Sequence, residues 1–454
     1  MNLNETEFLA DTRKIVSDLE HRKKMNFSLK QADDAYKTGR RQFRDLEAAK
    51  KTAKGIKREA IEHLDKYLVQ FEARFTQNGG KVIWAENGKQ ALDEILKICK
   101  AKKINAVVKS KSIVTEEIHL NQFLSANDIE VLETDLGEYI QQLANEPPYH
   151  IVSPSLHKSR EDIAELFHQK LNIAPNLSPE QLTMVARNIL RNKFKEAGAG
   201  ITGINFLLAD IGGVAITENE GNAWLCGSGP KVHIAITGIE KILPTIHNLG
   251  LFWPLLATHG SGQQITVYNS IYTGPRKKSD IDGPDEMYVI LLDNSRTNIL
   301  ADPVARESLY CIRCGACLNV CPVYKNIGGH AYKATYSGPI GSIISPYLYS
   351  VAEFKHLSYA SSLCGACTEV CPVGIQLHDL LLYNRRKVVE QSRATKSEKV
   401  GWSIWKRLSL SRFACNLAGA ATKNFVIRKL FARAWGSKRR LPVFSKRSFN
   451  QLWK

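Results

Sequence analysis

Apolar residues recur at helical spacing near the start of the chain. Ile61, Leu64 and Leu68 fall on one face of a helix. The helical pattern continues to about residue 76 and is followed by Asn-Gly-Gly at residues 78–80, a typical helix stop. We therefore predict an N-terminal helical segment over residues 1–66, and we expect its last helix to lead into the next domain.

Short apolar runs then alternate with helical patterns. Residues 89–100 have the spacing of an amphipathic helix, and the apolar runs around them have the length of strands. The predicted strands cover residues 81–85, 105–108, 129–132, 204–209, 214–216, 232–236, 264–268 and 287–292. This alternation predicts an α/β fold with a mainly parallel sheet over residues 67–297. Gly198, Gly200 and Gly203 lack the order of a dinucleotide-binding fingerprint and are interpreted as a turn.

Residues 302–382 contain the cysteine clusters, and residues 383–454 form a basic tail that we predict to be helical. The chain of 454 residues carries a formal net charge of +17. Residues 381–454 account for all of it, because they contain 19 lysines and arginines against Glu390 and Glu398. Aromatic residues lie among these charges, which favours a membrane surface or an acidic partner. The body shows no basic stripe, so no nucleic-acid role is predicted.

The apolar content of the chain, 44 %, is that of a globular protein with a sizeable core. No run of about 18 apolar residues is present, so no membrane-spanning helix is expected. The first 20 residues are rich in charge and lack the apolar core of a secretory signal. These features predict a cytoplasmic protein, either free or held peripherally at the inner face of the membrane by its tail.

Seven of the ten cysteines form two motifs that are typical of iron–sulfur proteins. The first has the spacing C-x2-C-x2-C-x3-C-P and the second has the spacing C-x2-C-x3-C-P. In such two-cluster modules, the cysteine before the proline serves the other cluster. This rule assigns Cys311, Cys314, Cys317 and Cys371 to the first cluster, and Cys321, Cys364 and Cys367 to the second.

The second cluster lacks one thiolate under this assignment. The regular pattern would place it at Ser361, three residues before Cys364. We therefore predict two 4Fe-4S clusters. For the second cluster, the alternatives are a site-differentiated 4Fe-4S cluster and a 3Fe-4S cluster. The isolated residues Cys99, Cys226 and Cys415 are interpreted as core thiols, although one of them could supply the fourth ligand. Structural zinc is the weaker alternative, because four zinc ligands do not require this spacing.

The chain resembles the lactate-utilisation protein B family, the iron–sulfur subunits of a bacterial L-lactate oxidation system. The resemblance covers nearly the whole chain, and its specificity comes from the order of its segments together with the two cysteine motifs. Besides those motifs, its carriers are residues 133–140, 150–158, 200–206, 219–222 and 283–294. The resemblance implies a lactate-utilisation domain with a fold like that of sugar isomerases or CoA transferases. It also implies two partner proteins and passage of electrons from lactate towards the respiratory chain.

Outside the cysteine motifs, candidate site residues are weaker. Glu220 follows a predicted strand and is either a nucleophile, as in CoA-transferase-like folds, or a residue that caps a turn. The run Lys109 to Ser112 could hold an anion at a strand end, but a solvated loop is the safer interpretation. The scattered histidines show no metal-type spacing, namely His119, His150, His157, His233 and His259.

The predicted function is that of an electron-transfer subunit in L-lactate oxidation, with no catalytic residues assigned. No flavin, nicotinamide or haem motif is visible, so the chain has no recognisable two-electron acceptor for lactate. The alternatives are an enzyme that binds substrate near Glu220, and an iron–sulfur subunit of a glycolate-oxidase-like or heterodisulfide-reductase-like complex.

Overall fold

The computed structural model describes residues 3–391, 396–435, 440–447 and 449–453. Contacts divide the chain into two compact units, Met1–Arg386 and Lys387–Lys454. The first unit contains the N-terminal helices, the α/β body and the cysteine motifs. The second unit contains only helices and loops among its described residues.

Four helices precede the first strand, as the apolar spacing predicts. They are α1 (Leu3–Ser17), α2 (Leu19–Gly39), α3 (Leu46–Glu62) and α4 (Leu64–Gln77). Asp18 and Asp45 cap the second and third helices by accepting hydrogen bonds from the backbone N–H groups of His21 and Ala48.

Six parallel strands form the main sheet. They are β1 (Lys81–Ala85), β2 (Ala106–Lys109), β3 (Glu130–Glu133), β4 (Ala199–Gly203), β7 (Val232–Gly238) and β10 (Glu286–Leu292), in the order β1-β10-β7-β4-β2-β3. A smaller mixed sheet has the order β8-β5-β6-β9 and consists of β5 (Phe206–Leu208), β6 (Gly213–Glu218), β8 (Ile242–Leu243) and β9 (Tyr268–Tyr272). The predicted α/β class with a mainly parallel sheet is confirmed.

Helices fill the connections and build the cysteine module. In the α/β body they are α5 (Gly88–Ala101), α6 (Ile113–Glu117), α7 (Leu120–Ser125), α8 (Leu136–Ala144), α9 (Arg160–Leu171), α10 (Pro179–Glu196), α11 (Asn222–Ser228), α12 (Leu249–Ser261) and α13 (Arg296–Ala301). In and after the cysteine motifs they are α14 (Ala316–Val320), α15 (Tyr324–Ile327), α16 (Gly338–Leu348), α17 (Val351–Phe354), α18 (Ala366–Val370) and α19 (Leu377–Glu390). The second unit contains α20 (Lys396–Leu410), α21 (Arg412–Asn416), α22 (Ala420–Trp435) and α23 (Phe449–Leu452).

Three details of the sequence interpretation are wrong. The glycine-rich stretch at residues 198–203 is not a turn, because it contains β4, a central strand between β7 and β2. Gly200 is needed there, since a Cβ atom would overlap the carbonyl oxygen of Cys226 on the helix that covers the strand. The strand expected at residues 264–268 lies instead at Tyr268–Tyr272, and β8 was not expected.

The N-terminal helices and the cysteine module share one apolar core. Phe8 and Met25 from the first two helices belong to the same buried cluster as Leu318, Tyr332 and Leu348 of the module. The smaller sheet contributes to this cluster as well, whereas helices on the other face of the main sheet form a second cluster. The cysteine module is therefore packed directly onto the α/β body.

Candidate metal centre and adjoining cavity

The two cysteine motifs follow the same backbone course. A glycine with positive φ, Gly315 at 78° and Gly365 at 83°, precedes a five-residue helix in each motif. The helix ends at the cysteine before the proline, which is Cys321 in the first motif and Cys371 in the second. The two short helices, α14 and α18, pack against each other. The module therefore has an approximate internal repeat.

Four thiols of the module line one cavity. They belong to Cys311, Cys314, Cys317 and Cys371. The cavity encloses about 370 Å³, open solvent at its mouth included, and its other walls are mostly apolar. Cys371, distant in sequence from the other three, is thus brought beside them by the packing of α18 on α14.

The donor set of this cavity fits an iron–sulfur cluster. Burial raises the pKa of the Cys371 thiol to about 12 and that of Cys314 and Cys317 still higher, so buried thiolates here require a positive group beside them. The backbone N–H of Ile375 donates a hydrogen bond to the sulfur of Cys371 over 3.4 Å. Such hydrogen bonds to sulfur set the reduction potential of a cluster.

The remaining three thiols form a second, less buried group. Burial raises the pKa of the Cys321 and Cys367 thiols, and the nearby Cys364 thiol adds to both increases, so the three thiols lie close together. Cys321 and Cys367 are buried, whereas Cys364 is exposed. The assignment of the seven cysteines to two clusters stays a prediction, and the structure places them in these two groups.

Ser361 stands where the internal repeat places Cys311. Arg313 and Leu363 both have positive φ, 62° and 55°, and both immediately precede an equivalent cysteine. The N–H of Arg313 donates to the Cys311 sulfur at 3.4 Å, and the N–H of Leu363 donates to the Ser361 hydroxyl oxygen at 3.1 Å. The cysteine spacing and the local geometry therefore both indicate Ser361 as the residue at the position predicted for the fourth ligand of the second cluster.

The remaining three cysteines lie outside the two cysteine motifs. Cys99, on α5, and Cys226, on α11, are fully buried in the α/β body. The hydroxyl of Thr134 lies 3.5 Å from the Cys226 sulfur. The side chain of Cys415 falls outside the described residues.

A larger cavity opens at the carboxyl edge of the parallel sheet. Strand order reverses between β2 and β4, because β2 is followed outward by β3 whereas β4 leads towards β7 and β10. Open parallel sheets place their ligand crevice at such a switch point. The cavity encloses about 1410 Å³, open solvent at its mouth included, and is lined by residues after β2, β4 and β7.

Arg313 and Ile151 line both cavities. Arg313 is an intervening residue of the first cysteine motif, and its guanidinium lies over the ring of Tyr336, 4.7 Å from the centroid. Burial, and then the charge of Arg313, lower the pKa of neighbouring Lys241 to about 8. No pattern in the sequence distinguishes these two cations, although the position of Arg313 within the first cysteine motif was a signal that could have been used.

The other sequence candidates take structural roles as well. The carboxylate of Glu220 accepts a hydrogen bond from the backbone N–H of Leu136 at 3.1 Å, and it also lines the larger cavity. Lys109 is not in a solvated loop, because it is fully buried and paired with Glu133 at 2.7 Å. Lys111 does line the cavity, where it pairs with Asp135 at 2.8 Å.

The fold brings two histidines and a glutamate together, and their wide separation in the sequence did not predict this cluster. Ligand-type atoms of Glu146, His157 and His330 lie within 4.8 Å of one another. His157 and Lys158 both bond the Glu146 carboxylate, which holds its pKa at about 2. The carboxylate is therefore ionised and its negative charge is balanced by Lys158, and the cluster lies where the α/β body meets the cysteine module.

Buried histidines predict a loss of stability at acidic pH. Burial lowers the pKa of His233 to about 3, whereas an unfolded histidine titrates near 6.5. Below pH 6.5 the unfolded chain therefore binds the extra proton, and the free energy of unfolding falls by about 1.4 kcal/mol per pH unit for this residue. Urea unfolding at pH 7 and pH 5 should show a smaller loss in His233→Gln than in the wild type.

A control variant separates this effect from general acid sensitivity. His247 is exposed, so His247→Gln should leave the pH dependence of unfolding as it is in the wild type. An equal pH dependence in wild type and His233→Gln would contradict the prediction.

The second unit presents exposed aromatic side chains. Trp402 and Trp405 of α20 are 66 % and 61 % exposed, with ring centroids 5.5 Å apart. Phe413 and Phe425 are also exposed. Among the described residues, no helix is long and apolar enough to cross a membrane.

Two known protein families match segments of the chain. Residues 68–292 match the LUD domain, and residues 307–375 match the 4Fe-4S dicluster domain. The chain therefore contains an iron–sulfur domain of the expected type.

Curated relatives match most of the chain. The lactate utilization protein B of Geobacillus thermodenitrificans is 44 % identical over 379 residues, which cover 82 % of this chain and 79 % of the relative. That of Anoxybacillus flavithermus is 41 % identical over 411 residues, which cover 88 % and 87 %. A crystal structure of a DUF162 family protein from Deinococcus radiodurans aligns over 50 % of this chain and 98 % of that chain. Its TM-score of 0.30 and identity of 14 % are too low to support a conclusion about the fold.

Proposed function

Because the chain belongs to the lactate utilization protein B family, we propose that it is the iron–sulfur electron-transfer component of an L-lactate oxidation system. One observation carries the proposal: a group of four thiols, three of them buried and that of Cys311 partly buried, borders the cavity at the carboxyl edge of the parallel sheet within a single packed unit. When bound, iron–sulfur clusters take up and release single electrons. The proposed ligands are Cys311, Cys314, Cys317 and Cys371 for the first cluster, and Cys321, Cys364 and Cys367 for the second.

The difference in burial between the two thiol groups supports a direction of transfer. Cys314, Cys317 and Cys371 are buried beside the α/β body, whereas Cys364 of the second group is exposed. The first group is therefore placed to serve the crevice, and the second is placed to exchange electrons with a partner at the surface.

We propose that partner subunits complete the system. Oxidation of lactate to pyruvate releases two electrons and two protons, so a single-electron carrier must work with a component that handles the pair. Two partners, and a final transfer towards the respiratory chain, are what family resemblance implies. The proposed location is the cytoplasm, with or without peripheral contact at the inner membrane face.

The second unit is proposed to dock a partner or an anionic surface. Its excess of lysine and arginine occurs together with the exposed rings of Trp402, Trp405 and Phe425. This combination suits an interface with an acidic protein or lipid headgroups. Such docking should weaken as salt rises, because the attraction between exposed charges is screened.

Anaerobic reduction of the purified protein tests the proposed function. The chain should contain seven or eight irons, and L-lactate should bleach its visible absorbance and give reduced-cluster resonance signals only when the partner subunits are present. A matched sample with glycolate tests the alternative oxidase assignment.

Three results would contradict the proposal. Reduction of the isolated chain by lactate would make it an enzyme in its own right. Reduction by glycolate but not lactate would favour the glycolate-oxidase-like alternative. Stoichiometric zinc in place of iron would reject electron transfer altogether.

A further inference from the structure

The proposed function places the cavity at the carboxyl edge of the parallel sheet beside the first group of thiols but names no ligand for it. It is lined by side chains of both charges and reaches Arg313, which also borders the first group of thiols. Its place at the switch point of the sheet is the usual position of a ligand in folds of this class. The chemistry of its lining indicates what it would bind.

Arg313 and Lys241 are two of the cations that line this cavity, and Arg313 has a buried donor without a hydrogen-bond partner among the described residues. The Arg313 side chain is 9 % exposed, and its Nη1 is buried without a hydrogen-bond partner among the described residues. Its Nη2 is 3.4 Å from Glu240, a carboxylate that Arg296 already binds at 2.7 Å. Lys241 is 5 % exposed and forms no ion pair within the described part of the chain. A buried donor such as Nη1 of Arg313 is costly unless a ligand or water satisfies it.

The cavity also presents three carboxylates. Asp135 is paired with Lys111 at 2.8 Å, and Glu220 accepts the backbone N–H of Leu136 at 3.1 Å. Glu218 accepts backbone N–H groups at 2.7 and 2.6 Å. Each carboxylate has lone pairs left to accept a further hydrogen bond. They would repel a dianion such as phosphate, but they suit a ligand with one negative group and one hydroxyl donor.

We propose that this cavity binds a small 2-hydroxycarboxylate. The ligand's carboxylate would bind Lys241 and Arg313, and its hydroxyl would donate a hydrogen bond to the part of the lining that carries the carboxylates of Asp135, Glu218 and Glu220. The ligand's identity as lactate rests on the proposed function, whereas the binding site rests on the lining itself. Arg313 and Ile151 line both this cavity and that of the first group of thiols, so the ligand would lie beside the residues proposed to hold the first cluster.

Anaerobic isothermal titration of the iron-loaded chain with L-lactate tests the proposal. Wild-type protein should bind L-lactate, and acetate, which lacks the hydroxyl, should bind at least several-fold more weakly. Lys241→Met should raise the Kd for lactate about ten- to a hundredfold, since it removes a charged donor. Lys241→Arg should recover most of the affinity.

Matched controls keep the result interpretable. Lys97→Met removes an exposed lysine of α5 and should bind lactate like the wild type. Iron and sulfide content should be equal in all variants, which shows that the fold and the clusters are intact. Lactate should also alter the resonance signal of the chemically reduced wild-type protein but not that of Lys241→Met.

Several outcomes would overturn the inference. These are no lactate binding by iron-loaded wild type, tighter binding of inorganic phosphate or L-alanine than of lactate, and unchanged affinity in Lys241→Met. Binding without lactate-dependent reduction in the complete system would instead overturn the proposed function and leave the site standing. Lactate-dependent reduction in the complete system without lactate binding to this chain would overturn the proposed site and leave the proposed function in place.

Discussion

Cys371→Ala is expected to remove the first cluster, and Cys367→Ala, only four positions away, is expected to remove the second. The reason is that the Cys371 thiol lines the cavity of Cys311, Cys314 and Cys317, whereas Cys367 lies close to Cys321 and Cys364. Each variant should therefore lose about half of its iron and sulfide, and a different set of resonance signals should disappear in each.

Cys226→Ala provides the control for this pair. Cys226 is a fully buried thiol in the α/β body, and its replacement should leave both clusters and the iron content unchanged. If Cys371→Ala and Cys367→Ala lost the same resonance signals, the crossed assignment would be wrong.

Ser361→Cys extends the prediction to the incomplete cluster. Ser361 occupies the position equivalent to Cys311, and a serine oxygen is a poorer iron ligand than a thiolate. The wild type should lose one iron on mild oxidation and give a 3Fe-4S resonance signal, and Ser361→Cys should suppress that signal. An unchanged signal, together with loss of the second cluster in a Cys99, Cys226 or Cys415 variant, would place the fourth ligand elsewhere.

The second large effect is expected at Arg296, whose loss should destabilise the fold by about 3–5 kcal/mol. Its guanidinium binds both oxygens of Glu117, at 2.9 and 2.8 Å, and Oε2 of Glu240 at 2.7 Å. All three side chains are at most 1 % exposed. Arg296→Leu would therefore leave the buried Glu117 without its cation and the buried Glu240 with only the 3.4 Å contact to Arg313, which costs far more than a surface ion pair is worth.

The same network joins the α/β body to the cysteine module. Tyr336 of the module donates a hydrogen bond to Glu117 at 2.6 Å, and Arg313 contacts Glu240. We therefore expect the loss of Arg296 to reach the module and to lower the retention of iron as well as the apparent free energy of unfolding.

Urea titration of the iron-loaded protein, followed by circular dichroism, measures this effect. The control is Arg160→Leu, which breaks an exposed pair with Glu161 and should change the free energy of unfolding by less than about 0.5 kcal/mol. An equally small change in Arg296→Leu would show that the network contributes little.

Local patterns in the sequence were sufficient to predict most of the elements. The helices before residue 78 and most strands of the α/β body lie where apolar spacing predicts them, because that spacing depends on neighbours a few residues apart. The pattern failed at β4, where Gly200 resembles a turn residue. Position 200 requires glycine because a helix covers the strand there, and no local pattern reveals this contact.

The sequence by itself determined the two cysteine motifs, the serine at position 361 where the spacing predicts a fourth ligand, and the family resemblance, because ligand spacing within a short loop is a local property. Only the tertiary structure decided which charges meet. Four separate segments of the chain come together here, and they carry Glu117, the adjacent pair Glu240 and Lys241, Arg296, and Arg313. Burial, ion pairing and the shape of a cavity depend on which distant segments the core brings into contact, so the crevice beside the first thiol group could not be read from the order of residues.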